Sequence, residues 1–227
     1  MYQDQVGPDG LLLYRYRGRD PQHRDNVALR LAMRRGVPLV YLFGIVRGQY
    51  LPIWPVYAVG DDPAGLAFAI AVDDKRLAGP AAEMIEEHLR RTYVTRITLY
   101  RLHQHSFRER VLRAYHERCA ICRLRHTELL DAAHILPDDH PRGEPIVPNG
   151  LALCKLHHAA FDRHFLGVRP DLVVEIRRDI LEEPDGPGLR YALQEMNGQQ
   201  LYVPRSRELR PRREFLEERY EMFRKTV

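Results

Sequence analysis

The chain has 227 residues, enough to bury one large core or two smaller ones. It contains no run of about 18 apolar residues, and its N-terminus lacks the basic-then-apolar order of a signal peptide, so a soluble, cytoplasmic protein is expected. Three cysteines with a net charge of +4 speak against both a disulfide framework and a strongly polyanion-binding tail.

In chain order, residues 1 to 72 read as a small strand-dominated domain. "DNVALRLAMRRG" has helical spacing, with Asp25 expected at the N-cap and Gly36 at the C-terminal stop. "VPLVYLFGIV", "YLPIWPVYAV" and "LAFAIAV" follow, rich in branched and aromatic residues and broken by Gly and Pro, as strands are. "DDKRLAGPA" breaks the apolar pattern and predicts a linker, and "AAEMIEEHLRR" predicts a helix. A second helix is expected over "SFRERVLRAYHER", where Ser106 and Glu109 have the spacing of a capping box. Beyond residue 169, "DLVVEIRR" and "GQQLYVP" read as strands and "REFLEERYEMFRK" as a last amphipathic helix.

Basic charge is unevenly placed. Residues 90 to 118 hold eight arginines against two glutamates, and "RSRELRPRR" at 205 to 213 adds a second cluster. Such surfaces suit nucleic acid, although arginine outnumbers lysine 32 to 3 along the whole chain, which is composition bias by itself. Arg108, Arg110 and Arg113 are the residues expected to meet phosphates, since the guanidinium fork matches phosphate geometry.

The three cysteines fall into two metal-ligand pairs: Cys119 with Cys122 as C-x-x-C, and Cys154 with His157 as C-x-x-H, about 30 residues apart. Four such ligands satisfy tetrahedral zinc with no open position, so the ion would stabilise the fold and leave chemistry to other residues. The bland alternative is buried thiols and a surface histidine.

His134 in "LDAAHILP", Asn149 in "VPNGLALC" and His158 directly after the zinc histidine remain. Their order and spacing over roughly 105 to 168 resemble the HNH nuclease family, with its ββα-metal fold. The resemblance implies that His134 is the general base, that Asn149 braces the loop and orients the base, and that His158 holds a catalytic Mg²⁺ or Mn²⁺. Adjacent residues on a helix point about 100 degrees apart, which lets His157 face zinc while His158 faces a cleft. Many members of the family carry a metal-binding residue directly before the base. Here that position is Ala133, and Asp131 is the carboxylate proposed as second ligand. Positions i and i+3 of a regular strand face opposite sides, so Asp131 could join His158 only if the hairpin bulges or turns there.

"YQDQVGPDGLLLYRYRGRDPQHRDNVAL" resembles the SRA domain, a PUA-like reader that flips modified cytosine out of duplex DNA. Tyr2, Asp4, Tyr14 and Tyr16 are the residues that could stack on or read such a base. SRA domains have sequence upstream of this point, whereas Met1 falls almost on the motif, which leaves open a shortened domain. The resulting expectation is an α+β chain: an SRA/PUA-like domain at 1–75, a linker and helix at 76–104, and a zinc-bound HNH domain at 105–227. Its function would be prokaryotic, modification-dependent cleavage of double-stranded DNA, with 5-methylcytosine or 5-hydroxymethylcytosine as the mark and a homodimer cutting both strands. An HNH nuclease for unmodified DNA and a non-catalytic, zinc-stabilised DNA-binding protein are the alternatives.

Overall fold

The computed structural model describes residues 5–7, 10–46, 48–72, 87–184 and 186–226. Tyr2, Asp4 and the linker segment 73–86 lie outside the described residues. The chain divides into two compact units, residues 1–103 and 104–227. No described helix is long and apolar enough to cross a membrane.

In the first unit the elements are β1 (Gln5–Val6), β2 (Leu12–Arg15), helix α1 (Arg24–Arg35), β3 (Leu39–Val46), β4 (Gln49–Asp62), β5 (Ala67–Val72) and the first part of helix α2 (Glu87–Ala114). The three expected strands are β3, β4 and β5. All five strands form one antiparallel sheet in the order β1-β2-β5-β4-β3. The period of two is plain in β3, where Tyr41, Phe43 and Ile45 turn inward while Val40 and Leu42 face out. Val94, Leu99 and Leu102 of α2 enter the same core, so the helix up to residue 103 is part of this unit rather than of a linker. Buried Thr95 ties it down by accepting the Val72 N–H through Oγ1 at 2.8 Å.

Two capping expectations need correction. Helix α1 starts two residues earlier than expected, and its N-cap is His23, whose Nδ1 accepts the Asp25 N–H at 3.3 Å. The Asp25 carboxylate is drawn away by Arg17, 2.5 Å from its guanidinium, which leaves the imidazole to cap. Gly36 does end α1, in the left-handed conformation at φ 60, with its N–H on the Met33 carbonyl. Ser106 and Glu109, in contrast, begin nothing: α2 runs through them unbroken from Glu87. A capping box acts only where the preceding residues leave the helix, and buried Thr95, Leu99 and Leu102 at helical spacing carry this one straight on.

The second unit is built on the hairpin β6 (Leu130–His134) and β7 (Gly150–Cys154), followed at once by helix α3 (Lys155–Asp162). A second hairpin, β8 (Leu166–Val168) with β9 (Val174–Ile176), leads to the short helices α4 (Arg178–Glu182) and α5 (Pro187–Ala192), and the chain closes with α6 (Arg213–Arg224). "DLVVEIRR" forms β9 as expected. "GQQLYVP" makes only one bridge, Gln200 with Val173. Gly198 N–H and Gln199 O bond Val174 of β9 and Leu201 N–H bonds Leu172 O, but Tyr202 N–H turns to Ala120 O, so the pairing is not continued as a strand.

Every residue of β7 is buried, against Phe107, Val111, Leu112 and Tyr115 from the end of α2 and Phe161 from α3. Gly150 opens this strand because nothing larger fits: a Cβ there would stand 2.5 Å from Val111 Cγ2 and 2.9 Å from Phe107 Cζ. Gly150→Ala is therefore expected to destabilise the protein by about 1–3 kcal/mol in thermal or urea denaturation. Gly188→Ala, with open space around its Cβ, serves as the control that leaves stability unchanged or slightly raised.

Candidate active site and metal centre

Two turns bring the four zinc-type ligands together. At Cys119–Cys122 the chain folds back on itself, with Cys119 N–H on Leu124 O at 2.9 Å and Arg123 N–H on Cys119 O at 3.1 Å. Arg123 takes a left-handed φ of 67 to make the turn. Cys154 is the last residue of β7 and the N-cap of α3, and His157 lies on the first turn of that helix. One donor atom from each of Cys119, Cys122, Cys154 and His157 lies within 4.8 Å of all the others.

The spacings test the fit of an ion. Sulfurs about 2.3 Å from a tetrahedral centre stand roughly 3.8 Å apart, and Cys122 Sγ lies 3.9 Å from Cys154 Sγ. His157 Nδ1 is 3.1 Å from Cys154 Sγ and 3.5 Å from Cys119 Sγ. The far nitrogen, Nε2, donates to the Ala192 carbonyl at 2.7 Å, which fixes the tautomer that leaves the Nδ1 lone pair toward the sulfurs. The set fits a metal ion such as zinc. Ala192, a carbonyl 35 residues downstream of His157, carried no sequence signal for this part.

His158, the next residue, lies between two carboxylates. Its Nδ1 is 3.6 Å from Asp131 Oδ2, and its Nε2 is 3.3 Å from Asp162 Oδ2. Asp131 also meets Lys155 Nζ at 3.0 Å, Arg108 Nε at 3.7 Å and its neighbour's Ala132 N–H at 2.9 Å. His158 foremost, with Lys155 and the Ala132 N–H, holds the Asp131 carboxyl well below the usual range. Asp131 and Asp162 push His158 up to about 9 against the opposing effect of burial.

The hairpin does not bulge at Asp131. The ladder from Leu130↔Cys154 to His134↔Gly150 is unbroken. Asp131 reaches His158 because α3 departs directly from Cys154, opposite the start of β6, so its first turn comes back alongside Asp131. Asp162 is the second carboxylate on His158; the i, i+4 spacing was the available signal.

His134 ends β6. Its ring stacks on Phe107, centroids 4.1 Å apart and planes at 18°. Its Nε2 is buried without a hydrogen-bond partner among the described residues. Burial foremost, then the charge of His158, lowers its pKa against the pull of Asp138 and Asp162. Asn149 is completely buried. Its Oδ1 accepts the Leu136 N–H at 2.9 Å, and its Nδ2 donates to Leu136 O and Glu144 O, both at 3.1 Å. Its own carbonyl accepts from Ile135 N–H at 2.9 Å. One amide thus pins both ends of the loop that leaves His134, and none of its bonds points to a metal.

The arginines behave differently from expectation. Arg108 donates to Thr127 O and Leu130 O, and Arg110 donates to Ser106 O and Pro145 O, so both guanidiniums are tied to backbone carbonyls; burial lowers the pKa of Arg110. Arg113 is exposed. Arg219, unremarked in the sequence, is buried on α6, stacks over Phe161 at 4.6 Å and donates to the Phe161 carbonyl at 2.9 Å. It thereby caps the end of α3 beside Asp162; burial lowers the pKa of Arg219, against the opposing charge of Asp162.

In the first unit Tyr16 and Tyr14 part company. Tyr16 is buried, packs on Phe68 at 4.7 Å and donates its hydroxyl to Asp61, which Arg30 holds at 2.6 Å. Both faces of a stacking platform are therefore not on offer there. Tyr14 is 39% exposed and lines a cavity of about 360 Å³ with Arg15, Arg17, Asp25 and Asn26.

If the four-ligand cluster holds zinc, metal analysis of the purified protein should give close to one ion per chain. Removing it with a strong chelator, or replacing Cys154 by Ala, should then lower the unfolding temperature of the second unit or abolish its folding. An unchanged melting curve after complete removal would end the structural role of this ion.

Residues 119–169 match the HNH endonuclease family. No curated protein matches the chain. Among solved structures it is similar to a modification-dependent TagI restriction endonuclease, over 97% of this chain and 77% of that one, at 15% identity and a TM-score of 0.37. The ββα arrangement of β6, β7 and α3, bearing His134, Asn149 and His158, lies within the residues that match the HNH endonuclease family.

Proposed function

We propose that the chain is a divalent-metal-dependent DNA endonuclease whose first unit selects modified DNA. The observation that carries the reading is the placement of His134, Asn149 and His158 on one ββα element. In it, a histidine kept neutral by burial follows a regular strand, and a second histidine stands between two carboxylates.

His158 and Asp131 would hold the catalytic ion, with Asp162 orienting the imidazole from its other nitrogen. One nitrogen and carboxylate oxygens form a donor set suited to Mg²⁺ or Mn²⁺. When bound, that ion supplies positive charge to the scissile phosphate and the leaving oxygen. His134 takes the proton of the attacking water. Because Nε2 is sealed in protein, we assign that role to Nδ1. Phe107 fixes the plane of the ring, and Asn149 fixes the backbone on its C-terminal side. The phosphodiester opens by in-line attack, leaving a 5′-phosphate and a 3′-hydroxyl. Two strands and one such site per chain imply a homodimer on duplex DNA.

For selectivity, the cavity beside Tyr14 supports a reader of a flipped, modified cytosine such as 5-methylcytosine or 5-hydroxymethylcytosine. An aromatic ring and charged groups line one concavity, as base recognition requires. A modification-dependent restriction role in a prokaryotic cytoplasm is the setting in which these parts work together.

Methylated and unmethylated copies of one plasmid, incubated with Mg²⁺, Mn²⁺ or EDTA, test the reading. Metal-dependent cutting of the methylated copy alone is expected, with His134→Ala reducing the rate at least about 100-fold while the fold persists. Equal cutting of both copies would remove the modified-base reader, and no cutting of either would remove the nuclease. A second measurement concerns Asp131. Asp131→Asn should raise the Mn²⁺ concentration for half-maximal cleavage by about 10–100-fold with an unchanged circular dichroism spectrum, whereas a wild-type requirement would strike Asp131 from the ligand set.

A further inference from the structure

Of the three arginines expected on α2 to meet phosphates, Arg108 and Arg110 are tied to backbone carbonyls while Arg113 is exposed, which leaves room for phosphate contacts elsewhere on the nuclease unit. Arg108 donates to Thr127 O and Leu130 O at the start of β6, and Arg110 donates to Ser106 O on its own helix and to Pro145 O in the loop before β7. The second basic cluster of the sequence is built differently. After buried Pro204 the chain turns through Arg207–Leu209 and rises into α6, exposing Arg205, Arg207, Arg212 and Arg213. Arg210 shapes this turn from within, donating to Pro204 O at 2.9 Å and to Arg205 O at 3.4 Å. Arg213 pairs with Glu217. Arg205, Arg207 and Arg212 have no carboxylate partner among the described residues, although Glu208 and Glu214 are near in sequence.

The position of the turn is as informative as its charge. Arg212 N–H donates to Pro148 O at 3.1 Å. The turn Arg207–Leu209 packs against Val147–Asn149, the turn that delivers Asn149. Asn149 in turn binds the backbone of Ile135 and Leu136, directly after His134. A short chain of backbone and amide bonds therefore fixes the backbone of the turn that carries these three arginines relative to the proposed base, and the Arg212 guanidinium also lies over the Phe215 ring at 5.3 Å. Guanidinium forks held at a fixed offset from a cutting site are suited to phosphates flanking the scissile one.

We infer that Arg205, Arg207 and Arg212 form the phosphate-binding track of the nuclease unit, gripping the DNA backbone beside the cleaved bond. The inference rests on the DNA endonuclease reading. Its function is sequence-independent: the track contributes affinity and register, and no discrimination among bases.

The test uses the full chain in a His134→Ala background, so that labelled duplex DNA is bound and not cut. Affinity is measured over a salt series for this protein and for the triple variant Arg205→Ala, Arg207→Ala, Arg212→Ala, whose Arg212→Ala change keeps the backbone N–H on Pro148. Each lost phosphate contact should reduce the slope of log affinity against log salt by about 0.9, so the triple variant should lose roughly 2.7. Replacing the same three by lysine should retain most of the slope. A control triple, Arg169→Ala, Arg178→Ala and Arg190→Ala, removes the same charge from arginines paired with Asp171, Glu182 and Glu195, and should leave the slope near that of the parent. The track is overturned if the parent slope survives in the test triple, or if the control triple loses as much. With wild-type protein that cuts DNA, either result sinks the track alone; with wild-type protein that neither binds nor cuts DNA, the endonuclease reading falls and the track with it.

Discussion

The arrangement of the second unit depends on how two adjacent histidines are kept apart. His157 is buried, its Nδ1 among three sulfurs and its Nε2 on the Ala192 carbonyl. With both nitrogens engaged, the ring has no rotational freedom, and neither has the helical turn that carries it. The helical period then decides where His158 goes, about 100 degrees round the axis, toward Asp131 and Asp162. The cluster also joins segments far apart in sequence: the turn before β6, the end of β7 and the helix α5 that supplies Ala192. The ion that suits it would be a clamp on geometry, and the imidazole beside it inherits a fixed position at little entropic cost.

Around this clamp the polar interior is satisfied by long reaches rather than by local pairs. Asn149 and three guanidiniums, those of Arg108, Arg110 and Arg219, bind backbone carbonyls of loops and helix ends that regular structure leaves open. Burying Arg219 is unfavourable, and its Nε lacks a partner among the described residues. The Phe161 ring beneath it and the Asp162 charge beside it offset that loss, and both belong to the helix that carries His158. Arg108, Arg110 and Arg219 therefore serve as internal joinery of the second unit.

What could be read in the sequence was whatever depends on spacing alone. The C-x-x-C and C-x-x-H pairs, the hairpin followed by a helix, the strand triplet β3–β5 and the final helix are all local patterns, and all appear. What could not be read depends on partners distant in the chain. Asp25 looked like a cap because nothing in its neighbourhood showed that Arg17 would claim its carboxylate. Ser106 and Glu109 looked like a helix start because a cap motif does not report whether the preceding turn is already helical. Asp131 looked out of reach because strand alternation describes the strand, whereas its partner comes from a helix crossing back alongside.

The tyrosines of the first unit bring the same lesson to substrate choice. Tyr14 and Tyr16 sit two apart, and continuation of β2 would have set them on one face. The strand ends at Arg15 instead, and Tyr16 N–H turns to the Leu66 carbonyl, dropping its ring into the core, where Asp61 and Arg30 hold the hydroxyl. Asn26 is likewise spent, bonded to Arg17 N–H, Arg17 O and Asp20 O. Under the proposed base-reading function, Tyr16 and Asn26 build the wall of the cavity, and contact with a base falls to Tyr14, with its outward ring, and to Arg15 beside it. Recognition would then rest on a half-exposed aromatic face backed by a rigid polar network. That division keeps the contact surface adaptable while the pocket behind it stays fixed.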